Sequence, residues 1–334
     1  MRAYLFFTLK RAGQLLAVIF FGISAAFFIT HLSPIDPVDQ AVRRVTSRSN
    51  FSPAAVESMR AALTELYGTD QPLGTQFVSF WSRLFRGDLG PSLIAFPTPA
   101  MDLVSRALPW TVGLLLTAVI FTWLVGNILG GLAGYYQNNR FLKAFGVVAM
   151  GLQPIPYYIV AFILLIIFGF LWPVLPISGG YAMNVTPGWN IAYILSVLRH
   201  AILPAMSLVL VGMGLWFLGM RALVSNVVTE DYVRYAEVGG VNSRKIVGMY
   251  VIRNAIIPQL TALAMVLGGI FSGTVITEQV FSYPGLGSLL IDAVNGGDYS
   301  LVLAVTSVAI TAVAGAIFIV DLLYPILDPR IRVE

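Results

Sequence analysis

The sequence has 334 residues, 57% of them hydrophobic and 11% charged, against about 25% charged in an average globular domain. So few charges cannot cover a water-facing surface, and the same figures exclude a disordered chain. Without cysteine there is no disulfide framework and no thiol chemistry, and the net charge of +4 reads first as membrane topology and only second as nucleic-acid affinity.

Charge-free stretches mark the elements in chain order. They run over 12–35, 107–139, 144–198, 201–220, 254–277 and 299–320, and each is long enough for the roughly 20 apolar residues of a membrane-spanning helix. The first follows Arg2, Lys10 and Arg11 but exceeds a signal peptide's apolar core and lacks a cleavage site, so it reads as an uncleaved span. In the third, Trp172, Pro173, Pro176, Gly179, Gly180, Pro187 and Gly188 crowd the second half. One span over about 144–170 is therefore predicted there, kinked at Pro154 and Pro156 and followed by an ordered loop. Six helices result.

Orientation follows from Arg and Lys. With both ends in the cytoplasm, twelve basic residues fall in inner segments and one, Arg199, in the two short outer loops. The remaining seven lie in the outer segment 32–106, too long for the rule to apply. Within it, Ser52, Pro53 and Gly68 frame a helix carrying Val56, Met59, Leu63 and Leu66 on one face. A second amphipathic stretch, Phe77, Phe80, Trp81 and Leu84, either lies along the outer membrane surface or packs on the ends of the spans.

No Asp, Glu, Lys or Arg stands inside a span, and His31 and His200 sit at span ends. An ion-coupled transporter usually places an ionisable group there, so the driving energy is expected from outside the membrane. Gly126, Gly130 and Gly134, and again Gly269 and Gly273, recur every fourth residue, which lets helix backbones touch either as fixed seams or as sliding surfaces. Asn127, Gln153, Ser272 and Thr274 are candidates to line a translocation path, with interhelical hydrogen bonding as the plainer role. No His, Asp and Glu cluster has metal-ligand spacing, so neither a metal site nor a catalytic residue is expected.

Polar chemistry collects in the inner loop 221–253. Asp231 is expected to cap a short helix ending near Val238, Gly239 and Gly240 to stop it, and Asn242 or Ser243 to cap another leading toward Pro258. Such a helix either docks in a partner's groove or is a solvated loop that obeys the positive-inside rule. The three lysines, at 10, 143 and 245, do not follow a glycine, so the chain lacks the Gly-Lys of a Walker A loop.

Arg234-Tyr235-Ala236-Glu237-Val238-Gly239-Gly240 with Arg253-Asn254-Ala255-Ile256-Ile257-Pro258 resembles the EAA loop of ABC importer permeases, in particular the B-type subunit of the dipeptide, oligopeptide and nickel subclass. Gly87-Asp88-Leu89-Gly90 with Ser92 resembles that subclass's outer signature. Glu278, Phe281 and Pro284-Gly285-Leu286-Gly287 resemble the loop after its fifth span, and Asp321-Leu322-Leu323-Tyr324 through Asp328-Pro329-Arg330-Ile331-Arg332 its C-terminus. Glu237 and Gly239 stand where basic residues are commoner, and Ser33-Pro34-Ile35-Asp36-Pro37 replaces a Pro-Gly-Asp-Pro turn.

The resemblance implies an all-α integral membrane protein, a type I ABC importer permease of six transmembrane helices in a bacterial inner membrane. A first helix would occupy 1–35 and a helical extracytoplasmic insertion 36–106. A five-helix core would fill 107–325, with a coupling loop at 221–255, and a cytoplasmic tail 326–334. The implied partners are a second homologous permease subunit, two ATPases holding ATP and magnesium, an extracytoplasmic substrate-binding protein and membrane lipid, with no nucleic acid and no cofactor on this chain. Arg234, Tyr235, Ala236, Glu237, Gly240, Val241 and Arg244 would couple to the ATPases. Tyr235 and Ala236 would fill the groove, Gly240 would set the turn, and Arg234 or Arg244 would pair with acids. Glu278, Phe281, Pro284, Gly285 and Gly287 would plug the outer mouth or meet the binding protein. Asp321 and Asp328 read as anchors. Peptides are the implied cargo, with oligosaccharides or nickel chelates as alternatives. A passive channel or a membrane enzyme is the reading from a different class.

Overall fold

Apolar length and a few helix breakers decide this architecture. The computed structural model describes residues 2–32, 36–47, 51–268 and 275–327, and among them there is no strand, only a single bridge between Pro91 and Pro99. Five of the described helical stretches are long and apolar enough to cross a bilayer: Phe6–His31, Ala100–Tyr135, Ile191–Val227, Ser243–Leu267 and Tyr299–Leu322. A sixth candidate is a bent pair, a broken span or a re-entrant loop, and with either the molecule is the multi-pass helical protein expected.

That break is sharper than the expected kink. Helix α6 (Arg140–Leu152) and helix α7 (Tyr157–Leu165), which continues as a π-helical turn over Ile166–Leu171, meet at 106°. Pro154 and Pro156 each remove a backbone donor, and Pro156 also disfavours a helical Ile155. Each half rises only about 20 Å, short of the roughly 30 Å hydrocarbon core. The fifth span also begins earlier than its charge gap. Helix α10 (Ser243–Lys245), a π segment Ile246–Ile252 and helix α11 (Arg253–Gly268) are continuous, because Arg253 changes where a helix sits in a membrane without ending it. Gly269, Ser272, Gly273 and Thr274 lie outside the described residues, as do Ser33-Pro34-Ile35 and the tail from Asp328.

The chain divides into two compact units. The smaller comprises residues 13–111 and 284–314. Here α1 (Arg2–His31) and α14 (Tyr299–Leu327) run antiparallel over their shared length. A Cβ at Gly22 would sit 3.2 Å from Ile310 Cγ2, and His31 and Tyr299 have ring centroids 5.8 Å apart. Asp36 caps α2 (Pro37–Thr46) by accepting from the Val38 and Asp39 amides. Ser52 caps α3 (Pro53–Tyr67), and Gly68 closes it at φ 62°, as the residue pattern predicts. Of the predicted α3 face, Val56, Met59 and Leu63 are half-buried and Leu66 is exposed.

Helix α4 (Leu73–Phe85) carries the second amphipathic face, and packing on the first span is what holds it. Phe77 stacks on Phe28 at 5.3 Å, Trp81 on Phe20 at 5.2 Å, and Phe80 lies 5.1 Å from Phe27. Val78 and Phe85 stay exposed.

The larger unit comprises residues 1–12, 112–283 and 315–334. Helix α8 (Ile191–Val227), capped by Asn190, is its axis, with α6, α7 and α11 packed on it. Helix α5 (Ala100–Tyr135) lays its glycine row on α8. A Cβ at Gly126 would meet Trp216 at 2.6 Å, one at Gly130 would collide with the Phe217 carbonyl oxygen, and one at Gly134 would lie 2.9 Å from the Arg221 carbonyl oxygen. This is backbone contact of the kind small residues permit. The loop over 172–190 is ordered by side-chain and backbone bonds: Arg199 donates to the Val174 carbonyl at 2.8 Å, Ser196 Oγ accepts from Ala182 N, and Gly179 N donates to the Phe281 carbonyl at 2.9 Å. Asp321 is an anchor as expected, paired with Arg11 at 3.2 Å.

Candidate functional site

Eight residues form helix α9 (Asp231–Val238), too few to hold a helix in water without tertiary contacts. Its start corrects one expectation: Glu230 occupies the cap position in an extended conformation with no side-chain cap bond. Asp231 is instead the first helical residue, where its charge complements the helix dipole. The stop is the predicted one. Gly240 is left-handed at φ 71°, Val241 N returns to the Ala236 carbonyl at 3.1 Å and Gly240 N to Glu237 O at 3.0 Å, closing the carbonyls of the last turn. Asn242 then caps α10 by accepting from the Arg244 amide at 2.9 Å.

Burial splits α9 into two faces. Val233 and Ala236 are buried with Met220, Val224, Ile246, Val251 and Ala255, and Val241 packs on this cluster. The opposite face is exposed: Tyr235 is 79% exposed and Val238 89%, with Arg234, Glu237 and Arg244 also exposed beside them, Glu237 accepting from Tyr135 Oη at 3.2 Å. Ala236 is thus a core residue of this chain. Val238, absent from the sequence-derived set, takes the outward apolar position. Its spacing of three from Tyr235 was the available signal.

The segment after the fifth span is built differently. Helix α12 (Val275–Val280) leads into a turn in which Tyr283 N donates to the Glu278 carbonyl at 2.7 Å and Ser282 has φ 45°. Glu278 is fully buried, and Phe281 is 2% exposed within a cluster with Val160, Ala161, Leu164 and Leu203. In the smaller unit, Pro284 is exposed while Gly285 and Gly287 are buried at the start of helix α13 (Leu286–Asn295). Leu286 N there donates to Thr111 Oγ1 at 2.7 Å. Four of these five candidates are therefore enclosed, and only Pro284 presents itself at the surface.

Of the path candidates, Asn127 is buried on α5, donating to the Trp123 carbonyl at 2.7 Å, and its Oδ1 has no partner among the described residues. Gln153 is exposed where α6 ends. Ser272 and Thr274 lie outside the described residues.

Residue patterns did not single out Asp298. It is fully buried, accepts from Ser92 Oγ and from Ile94 N at 3.1 Å through one oxygen, and caps α14 by accepting from Leu301 N at 3.0 Å through the other. Around it Gly90 N donates to Asp88 Oδ1, Ala100 N to the Gly90 carbonyl, and Tyr67 Oη to the Pro91 carbonyl. Burial first, then the Asp298 carboxylate, raises the Tyr67 phenol well above its ordinary value, so it remains a donor. The Gly87–Ser92 signature is thereby a fixed loop. The usable signal for Asp298 was a carboxylate at a cap position between Gly296-Gly297 and an apolar run.

A family model described as "Binding-protein-dependent transport system inner membrane component" matches residues 126–333. The chain is 31% identical over 319 residues to the probable D,D-dipeptide transport system permease protein DdpB of Escherichia coli, covering 91% of each chain. It is 26% identical to the dipeptide transport system permease protein DppB of Lactococcus lactis, covering 98% of this chain and 99% of that one. Against the oligopeptide transport system permease protein OppB of Haemophilus influenzae the figures are 29%, 98% and 99%.

Proposed function

Because this chain belongs to the family of binding-protein-dependent transport system inner membrane components, we propose that it forms half of a peptide translocation path driven by ATPases on separate subunits. The relatives named as dipeptide and oligopeptide permeases supply the cargo class. In this reading both termini are cytoplasmic, 36–106 is the extracytoplasmic insertion and 107–325 is the permease core. The 221–255 loop couples the core to the ATPases. A second permease subunit completes the path, two ATPases carry ATP and magnesium, and an extracytoplasmic binding protein delivers the cargo.

The two-faced α9 carries the proposal. Its buried side is continuous with the core through Val233 and Ala236, while Tyr235 and Val238 project free as groove-filling residues flanked by Arg234 and Arg244. A short helix so anchored moves as a rigid lever when the ATPases close. Shifting a two-state equilibrium from 1:99 to 99:1 needs about 5.5 kcal/mol of differential binding, which nucleotide-driven closure of the partners supplies. Glu278, Phe281, Gly285 and Gly287 then shape the turn at the opposite mouth rather than offering their own side chains, and Pro284 is its contact point. Asn127, Gln153, Ser272 and Thr274 remain the path residues of this reading.

The reading is tested in liposomes. Labelled di- or tripeptide should accumulate only when ATPases, second permease and binding protein are all present, and uphill uptake by this chain alone would end it. Deleting 230–245 should abolish co-purification of the ATPase. Gly240→Val, with open space around it but φ 71°, faces about 1–3 kcal/mol of backbone strain. It should insert normally and lose transport; full uptake by that variant would refute the lever.

A further inference from the structure

Apolar contact holds α9 on one side only, and such contact is non-directional, so a helix of two turns could roll on its buried face. Two hydrogen bonds to different spans oppose that roll. Toward its start, Asn254 Nδ2 of α11 donates to Tyr232 Oη at 3.2 Å. Toward its end, Tyr135 Oη donates to Glu237 Oε1 at 3.2 Å. Tyr135 is the last residue of α5, and the side chain of Ser243 lies beside the same phenol, on the far side of the Gly239-Gly240 turn. Tyr135 also packs against the cluster holding Val233 and Ala236. One phenol thus meets both arms of the turn from the tip of a 36-residue helix.

We propose that Tyr135 and Glu237 are a positioning pair that converts rotation of α9 into displacement of α5, so that Glu237 acts within its own chain and not as an ion-pair partner for the ATPase. The proposal rests on the docking role of α9 given above. Phenol and carboxylate suit the task because a directional bond between a rigid ring and the last turn of the helix resists rotation, which packing alone does not. The outward residues Tyr235 and Val238 take no part in it, so docking and transmission are separable.

The test uses the assembled complex in liposomes and reads three quantities: ATPase retained on purification, ATP hydrolysed, and peptide transported per ATP. Tyr135→Phe, which deletes one oxygen, and Glu237→Ala should each leave the ATPase bound and hydrolysing and lower transport per ATP about tenfold, within the range by which coupling residues act. The double variant should be no worse than either single one. Glu237→Gln keeps an acceptor and should restore the ratio. An unchanged ratio in Tyr135→Phe, additive losses in the double variant, or failure of Glu237→Gln to rescue would overturn the pair. If the unaltered chain retains no ATPase, the docking reading itself falls and the pair with it.

Discussion

Asp298→Ala is expected to produce the largest loss of stability of any single change outside the spans. It leaves Ser92 Oγ, Ile94 N and Leu301 N without their acceptor at a position with no solvent exposure. A buried donor stripped of its partner costs about 1–3 kcal/mol, so the combined loss is about 3–5 kcal/mol, allowing for partial relaxation. Asp298→Asn keeps one acceptor oxygen and can serve either the Ser92 and Ile94 pair or the α14 cap, so it should fall between. Thermal unfolding in detergent ranks the three proteins, and limited proteolysis across 88–99 locates the damage. Equal stability of the alanine variant and the parent would show that the loop does not depend on this carboxylate.

Gly130→Ala should also be destabilising, for the opposite reason: one methyl too many. The added Cβ would collide with the Phe217 carbonyl oxygen and crowd its carbonyl carbon, and backbone cannot rotate away as a side chain can. Either α5 and α8 separate, opening their contacts from Gly126 to Gly134, or the helix bends. Overpacking of this kind costs about 1–3 kcal/mol. Gly113→Ala on the same helix is the control, since nothing lies within 4 Å of its Cβ. That change should be neutral, or stabilising by up to about 1 kcal/mol through helix propensity. The yield of monodisperse protein and the midpoint of thermal unfolding read both variants. Equal behaviour of the two would mean that the α5–α8 seam is loose.

These two positions were unequally legible in advance. The glycine row announces itself by its four-residue period, and the backbone contact on α8 answers to it. Asp298 and Ser92 are 206 residues apart, and no periodicity connects them. The α9 segment falls between. Its stop was written in Gly239-Gly240, because few residues other than glycine accept φ 71°. Its roll was not, because eight residues make barely two turns and Tyr235, Ala236 and Val238 are all apolar enough to face inward.

By itself the sequence determined what depends on local chemistry. Long charge-free runs gave the spans, because charge is costly in hydrocarbon whatever the neighbours. Ser52, Pro53, Gly68 and Asn242 gave helix ends, because caps satisfy backbone groups a few atoms away. Tertiary structure decided the rest. It turned the proline-broken pair through 106°, drew Ala236 and Glu278 inward, laid α4 on the aromatic face of α1, and brought Tyr135 to Glu237. Each of these outcomes depends on which distant surface removes a group from solvent or lipid, and the neighbours of a residue in the chain do not encode that.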